Sequence, residues 1–329
     1  MFLKSFTRRL YVTSSKPVVS KSFFRSYAKQ IKLGIAGTAA ATVLGFGYCE
    51  YVIHTTWTTE LDEDQFTRYK ISQRVNVDPH HYFLEAKPLS AQKINIWKKL
   101  TSNKIWSLEV KQPEIMIVRN YTPLPLKLTV NKDDEYRLQI MDIANDDTNE
   151  GKLLFYVKNY DNGEVGRWMR NLDVGSRIDL RGPFIEYELN DNTKNVNMYT
   201  AGTGVVAALQ ILLNNTSGDS RNFTWIHTSH DMNELGKLYP MMINLSKSDN
   251  INLKLFNNTY SVRDNIDELM KLTPVNNQNA TYNKQFMALV CGPDGFIKTV
   301  AGVKINLKQG PIDGILKSQG WSNDNVFKL

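Results

Sequence analysis

A guanidinium, a phenol ring and a hydroxyl fall on one short stretch, Arg119-Asn120-Tyr121-Thr122-Pro123. On an extended strand alternate residues share a face, so Arg119 and Tyr121 stand side by side with Thr122 at the exit. That set meets the demands of a flavin dinucleotide: a fixed cation for the pyrophosphate, an aromatic face against the isoalloxazine, and a hydrogen-bonding hydroxyl near the flavin N5, which accepts the hydride. The same residue types are ordinary in strands, so context decides.

Two glycine turns offer a second kind of chemistry. Ala201-Gly202-Thr203-Gly204 follows an apolar strand and opens a helix, where backbone N–H groups and the helix dipole can receive a phosphate or a nicotinamide-bearing ligand. Cys291-Gly292-Pro293-Asp294-Gly295 repeats the arrangement after the apolar run 286–290. Each is equally at home as a tight turn of a parallel sheet, and Cys291 as a small buried residue before one. In the functional reading Cys291 packs beside the nicotinamide. Hydride transfer depends on proximity and orientation; it needs no metal, and no metal-ligand cluster is apparent.

The elements that must position these residues change character along the chain. Short alternating or β-rich runs at 69–77, 81–88, 106–111, 114–119, 153–158 and 176–180, with one short helix over 163–172, predict a small antiparallel barrel. Residues 142–151 read as a loop. After Arg181-Gly182-Pro183 strand and helix patterns alternate: strands at 196–200, 223–227, 252–256 and 286–290, helices at 205–213, 234–245, 262–272 and 295–300. That alternation specifies a parallel sheet, which binds ligands at the carboxyl ends of its strands. The Asn-rich segment 273–284 reads as a surface loop.

Taken in order, the blocks Arg119 to Pro123, Lys158-Asn159-Tyr160, Gly163 to Gly166, Arg181 to Pro183, Gly202 to Gly204 and Cys291 to Pro293 resemble the ferredoxin reductase superfamily, most closely its NADH-cytochrome b5 reductase branch. The resemblance covers residues 68–329. It implies FAD in the barrel and NADH or NADPH as electron donor in the second domain. The cofactor contacts it implies are Arg119, Tyr121, Thr122, Val157, Lys158, Tyr160, Gly163, Glu164, Val165 and Gly166, then Gly202, Thr203, Gly204, Cys291, Gly292 and Pro293; Thr122 and Cys291 stand next to the reacting atoms. The chain departs from the pattern in three places. Gly166 replaces a serine, Ala207 replaces a proline, and Leu124-Pro125-Leu126 stands where the family has a serine after Tyr-Thr-Pro.

Lys111 to Glu114, Val118 to Lys127, Arg181 to Ile185 and Trp321 to Leu329 further resemble yeast-type mitochondrial inner-membrane flavoproteins that assist haem attachment to cytochrome c. This implies haem reduction, with the haem lyase or apocytochrome c as contacts. A general cytochrome b5 reductase-type enzyme and a flavin-binding assembly factor without hydride chemistry remain as alternatives. The strand at 223–227 leads into Thr228-Ser229-His230-Asp231, which leaves NADH against NADPH open.

The front of the chain agrees with that compartment. Its net charge of +7 is concentrated in residues 1–49, which hold eight cations and no acid; the remainder carries 32 basic and 33 acidic residues, so nucleic acid is not an expected partner. Residues 1–32 have the composition of a mitochondrial targeting leader. Residues 33–49 are uncharged and apolar, and a helix of that length covers roughly 25 Å of a ~30 Å membrane core, so the predicted span runs to residue 52. Cations on its N-terminal side place the body in the intermembrane space. The expected organisation is a leader (1–32), a transmembrane helix (33–52), an FAD-binding barrel (60–190) and a nicotinamide-binding α/β domain (195–329). Two cysteines, Cys49 and Cys291, make no disulfide framework.

Overall fold

The computed structural model describes residues 60–100, 103–131, 135–143, 150–160, 163–214, 220–257, 266–276, 285–305 and 308–329. Its first half is built on strands β1 (Thr67–Asn76), β2 (His81–Pro88), β3 (Lys104–Gln112), β4 (Ile117–Tyr121), β5 (Leu126–Val130), β6 (Tyr136–Ile140), β7 (Leu153–Lys158) and β8 (Arg177–Glu188). Six of them form one sheet in the order β4-β3-β8-β1-β2-β7, with every pairing antiparallel. Its two edges approach each other at a single bridge, Leu124 to Leu154, and at Tyr121 and Phe155, whose ring centroids lie 6.4 Å apart. The result is an open barrel.

Alternation explains which faces are buried. On β2, Tyr82, Leu84 and Ala86 enter the barrel core while Phe83 joins a second core on the other face; on β7, Leu153, Phe155 and Val157 face inward while Leu154 and Tyr156 face the second core. Both strands are therefore apolar on two sides, as expected only where another layer covers the outside. That layer is the β5–β6 hairpin together with the second half of the chain.

The second half is a parallel sheet of β9 (Asn195–Ala201), β10 (Asn222–Ser229), β11 (Ile251–Asn257), β12 (Phe286–Cys291) and β13 (Val326–Lys328), in the order β11-β10-β9-β12-β13. Counting the described helices from the N-terminal side, α1 is Ile96–Lys99, α2 Glu164–Asn171, α3 Val205–Asn214, α4 Leu238–Leu245, α5 Ile266–Leu272, α6 Asp294–Ala301 and α7 Gly314–Ser318. Helix α3 is buried along its whole length because it lies between the parallel sheet and the barrel, sharing a core with Phe83, Ile105, Leu124 and Leu154. The described residues from Glu60 to Leu329 form one compact unit.

Some expected boundaries move for local reasons. The strand expected over 114–119 starts only at Ile117: Pro113 lacks the N–H a ladder needs, and 113–116 form the turn, with Met116 at φ +56°. The strand at 176–180 runs on through Arg181-Gly182-Pro183 to Glu188, with shifts in the β3–β8 register; at Gly182 (φ +131°) a Cβ would meet Leu108 at 2.9 Å. The helix expected over 234–245 is a 3-10 turn (Met232–Leu235) and α4, separated at Gly236 (φ +52°), where Tyr136 and Val77 leave no room for a Cβ. The β5–β6 hairpin, α1, α7 and β13 are additions to the expected set. The leader and the span 33–52 lie outside the described residues, and no helix among the described residues is long and apolar enough to cross a membrane.

Candidate functional site

Barrel strand β4 delivers Arg119 and Tyr121 to the N-terminus of α2. The Arg119 guanidinium, 59 % exposed, lies 3.4 Å from Glu164, the first residue of that helix. Gly163 caps the helix without a side-chain hydrogen bond, so the first-turn N–H groups are not taken by a capping side chain. One turn on, a Cβ at Gly166 would meet the Lys158 carbonyl at 3.2 Å and the Tyr121 hydroxyl at 3.7 Å, while Tyr82 donates to the Gly166 carbonyl at 2.7 Å. Burial raises the Tyr121 pKa, only partly opposed by Arg119, which keeps the phenol neutral. Val157 and Val165 are buried in the barrel core, so backbone is what either can offer a ligand. Thr122 follows at the exit of β4, half-buried.

On the parallel sheet the two glycine turns press on each other. A Cβ at Gly204 would lie 2.7 Å from the carbonyl carbon of Cys291, and one at Gly292 would lie 2.9 Å from the Cβ of Ala201. Pro293 caps α6 through its carbonyl, which accepts from the N–H groups of Phe296 and Ile297. Burial pushes the Cys291 thiol up to about 12; Lys304 pulls the other way and the Glu186 carboxylate adds to the rise. At neutral pH this thiol is protonated and uncharged.

The two halves of the site meet at the end of β7. Tyr160 hydrogen-bonds to Thr203, Lys158 Nζ lies 5.6 Å from the Tyr160 ring centre and 4.0 Å from Glu234, and Tyr156 donates to the Glu234 carbonyl at 2.5 Å. Below the first glycine turn, Trp225 donates to Thr200 Oγ1 (2.8 Å), which contacts His227 Nδ1 (2.8 Å), whose Nε2 contacts Ser229 Oγ (2.9 Å). Complete burial drives His227 down to about 3, so this chain is uncharged.

These residues fit the dinucleotide they were expected to hold. A cation and unused helix N–H groups suit a pyrophosphate, and Gly166 leaves open the space beside Tyr121 that a side chain would fill. Sequence reading missed Glu186, Glu234 and Gln210. Ser107 and Asn120 both donate to the Glu186 carboxylate, which lies near Cys291; Glu234 was read only as the start of a helix; and Gln210 stands out solely as a polar residue in an apolar run.

Comparison with known proteins agrees with this geometry. Residues 104–189 match the oxidoreductase FAD-binding domain family. The chain is 36 % identical to the cytochrome c mitochondrial import factor CYC2 of Saccharomyces cerevisiae, over 98 % of this chain and 96 % of that one. It is 23 % identical to NADH-cytochrome b5 reductase 2 of Lodderomyces elongisporus, over 85 % and 88 % of the two chains. The cytochrome b5 reductase domain of Ulva prolifera nitrate reductase superimposes with a TM-score of 0.56 at 14 % identity, covering 82 % of this chain and 99 % of that one. The chain thus belongs to the FAD-binding oxidoreductases of the ferredoxin reductase fold, in the family that includes the yeast cytochrome c mitochondrial import factor.

Proposed function

We propose that the protein is an FAD-dependent NAD(P)H oxidoreductase, anchored in the mitochondrial inner membrane by residues 33–52, that reduces haem iron for haem attachment to cytochrome c in the intermembrane space. The oxidoreductase part rests on one observation: the Arg119–Tyr121–Gly166 cradle and the Gly204–Cys291 contact are joined by Tyr160 and Thr203. The haem part is supported by the likeness to a yeast factor named for cytochrome c and mitochondria, and by the acid-free leader. In this reading 60–190 hold FAD and 195–329 hold the nicotinamide.

Bound FAD supplies the exchange between a two-electron donor and a one-electron acceptor. The chain's own residues bind and orient. Arg119 and the N-terminus of α2 would neutralise the pyrophosphate, Tyr121 would pack on the ring system, and the Thr122 hydroxyl would donate a hydrogen bond at the ring edge. The Gly202–Gly204 turn and the neutral Cys291 thiol give the nicotinamide an uncharged wall, while Lys158 and Tyr160 close its outer side. Overall, one NAD(P)H and two ferric haems give NAD(P)+, two ferrous haems and one proton.

The test is an anaerobic absorption titration of the purified full-length chain with NADH and NADPH, with and without ferric haem. The expected result is a flavin band that a nicotinamide bleaches, followed by ferrous haem bands when haem is present. A flavin that neither nicotinamide bleaches overturns the reductase reading in favour of an assembly factor contacting the haem lyase or apocytochrome c.

A further inference from the structure

Gln210, on the helix that follows the first glycine turn, is fully buried and spends its whole carboxamide on the barrel backbone. Its Oε1 accepts from the Trp106 N–H at 2.8 Å, and its Nε2 donates to the carbonyls of Trp106 at 3.1 Å and Pro123 at 3.0 Å. The orientation is fixed: an N–H can only donate and two carbonyls can only accept.

The place of this contact in the sheet explains it. Strand β4 ends at Tyr121, which pairs with Leu108; continuing that register sets Pro123 opposite Trp106. Proline has no N–H to give the Trp106 carbonyl, and the gap would leave buried backbone groups unpaired at a cost to the fold. The Gln210 carboxamide fills it as a peptide unit of a neighbouring strand would.

We infer that Gln210 is a positioning residue that fixes the Gly204–Cys291 contact relative to Thr122. One end of its contact is Pro123, next to Thr122. The other end is a rigid helix on which Gln210 stands six residues from Gly204, about 9 Å along the axis. Gly204 in turn abuts Cys291 without space for a Cβ. This side chain thus ties the flavin side of the site to the nicotinamide side from within the core, beside the Tyr156–Glu234 and Tyr160–Thr203 contacts at its surface, and it touches neither cofactor position. This rests on the nicotinamide reading above, and displacements of about 1 Å in such sites can cost on the order of 100-fold in rate.

The test uses Gln210→Met and Gln210→Glu in the full-length chain. The expected result for Gln210→Met is wild-type flavin content and NAD(P)+ dissociation constants within about threefold, but cofactor reduction slowed about 10- to 100-fold. Reduction at the wild-type rate overturns the inference, and so does a slowing matched by equal loss of flavin or nucleotide binding. Should Gln210→Met not fold, Gln210→Glu carries the test: its carboxyl can donate only when protonated, so its rate deficit should shrink as pH falls, and a deficit independent of pH overturns the assignment. Amide hydrogen exchange of the wild type separates this inference from the reading beneath it. If neither nicotinamide reduces the flavin, the reductase reading fails, yet the Trp106 amide should still exchange with the amides of α3; exchange in step with Val110 of its own strand overturns the positioning role.

Discussion

Arg119 and Glu164 form an ion pair at 3.4 Å where the pyrophosphate of a dinucleotide is expected, both side chains about half exposed. The carboxylate thus competes with the ligand for the guanidinium, and the two residues should affect FAD in opposite directions. Arg119→Ala should lower FAD affinity about 10- to 150-fold, the worth of a charge-assisted hydrogen bond of roughly 1.5–3 kcal/mol. Glu164→Gln should raise it, by up to about fivefold, since exposed pairs are worth roughly 0.2–1 kcal/mol. Flavin retention during dialysis of the purified variants measures both; weaker binding in Glu164→Gln would mean that the carboxylate serves the ligand.

The buried His227 makes stability fall with acid. Its ordinary value near 6.5 drops to about 3 in the folded chain through burial. The unfolded chain therefore binds one more proton than the folded one between those values. Stability is full above pH 6.5 and lost as pH falls toward 3, at about 1.4 kcal/mol per pH unit from this group. Urea denaturation from pH 7 to 5 should show a shallower pH slope in His227→Gln than in the wild type. Parallel slopes would mean that the imidazole is protonated in the fold.

Topology gives a prediction that depends only on charge. The eight cations before residue 33 should keep the N-terminus in the matrix and leave 60–329 on the other side. Protease added to mitoplasts should then digest the body, while a matrix protein stays protected. A protected body would reverse the orientation.

How much of this was legible in the sequence depends on the range of the interaction. The barrel strands and both glycine turns show in local alternation and in short apolar runs ending in glycine, so most are found within a few residues of their expected ends. The β5–β6 hairpin was not found. Its strands have five residues each, and the strand-like alternation of Leu126 and Leu128 with Lys127 and Thr129 is short and follows directly on a stretch that begins like a loop at Leu124-Pro125. The break at Gly236 has a local sign in Pro240, which falls in the first turn of α4, while the close approach of Tyr136 that requires a glycine there comes from a hundred residues earlier. Gln210 was visible as an anomaly, but its partners Trp106 and Pro123 lie 104 and 87 residues away, and nothing local announces them.

The strongest test of the nicotinamide side is Gly204→Val. An added Cβ would lie 2.7 Å from the Cys291 carbonyl carbon and 3.1 Å from the Gly292 nitrogen, backbone atoms that cannot swing aside. The two turns must therefore separate, and the wall they form against the nicotinamide must open. Arg119, Tyr121 and Gly166 belong to the barrel and are not touched by this change, so FAD should remain bound. The expected outcome is wild-type flavin content with flavin reduction by NAD(P)H slowed at least about tenfold, in line with misplacement of a reacting partner. Gly295→Ala is the matched control: it lies in α6 just beyond the second turn, its Cβ would meet nothing within 4 Å, and alanine favours the helix. Stopped-flow bleaching of the flavin band, after melting curves have established that both variants fold, gives the comparison. If folded Gly204→Val is reduced as fast as Gly295→Ala and the wild type, the nicotinamide does not enter between Gly204 and Cys291.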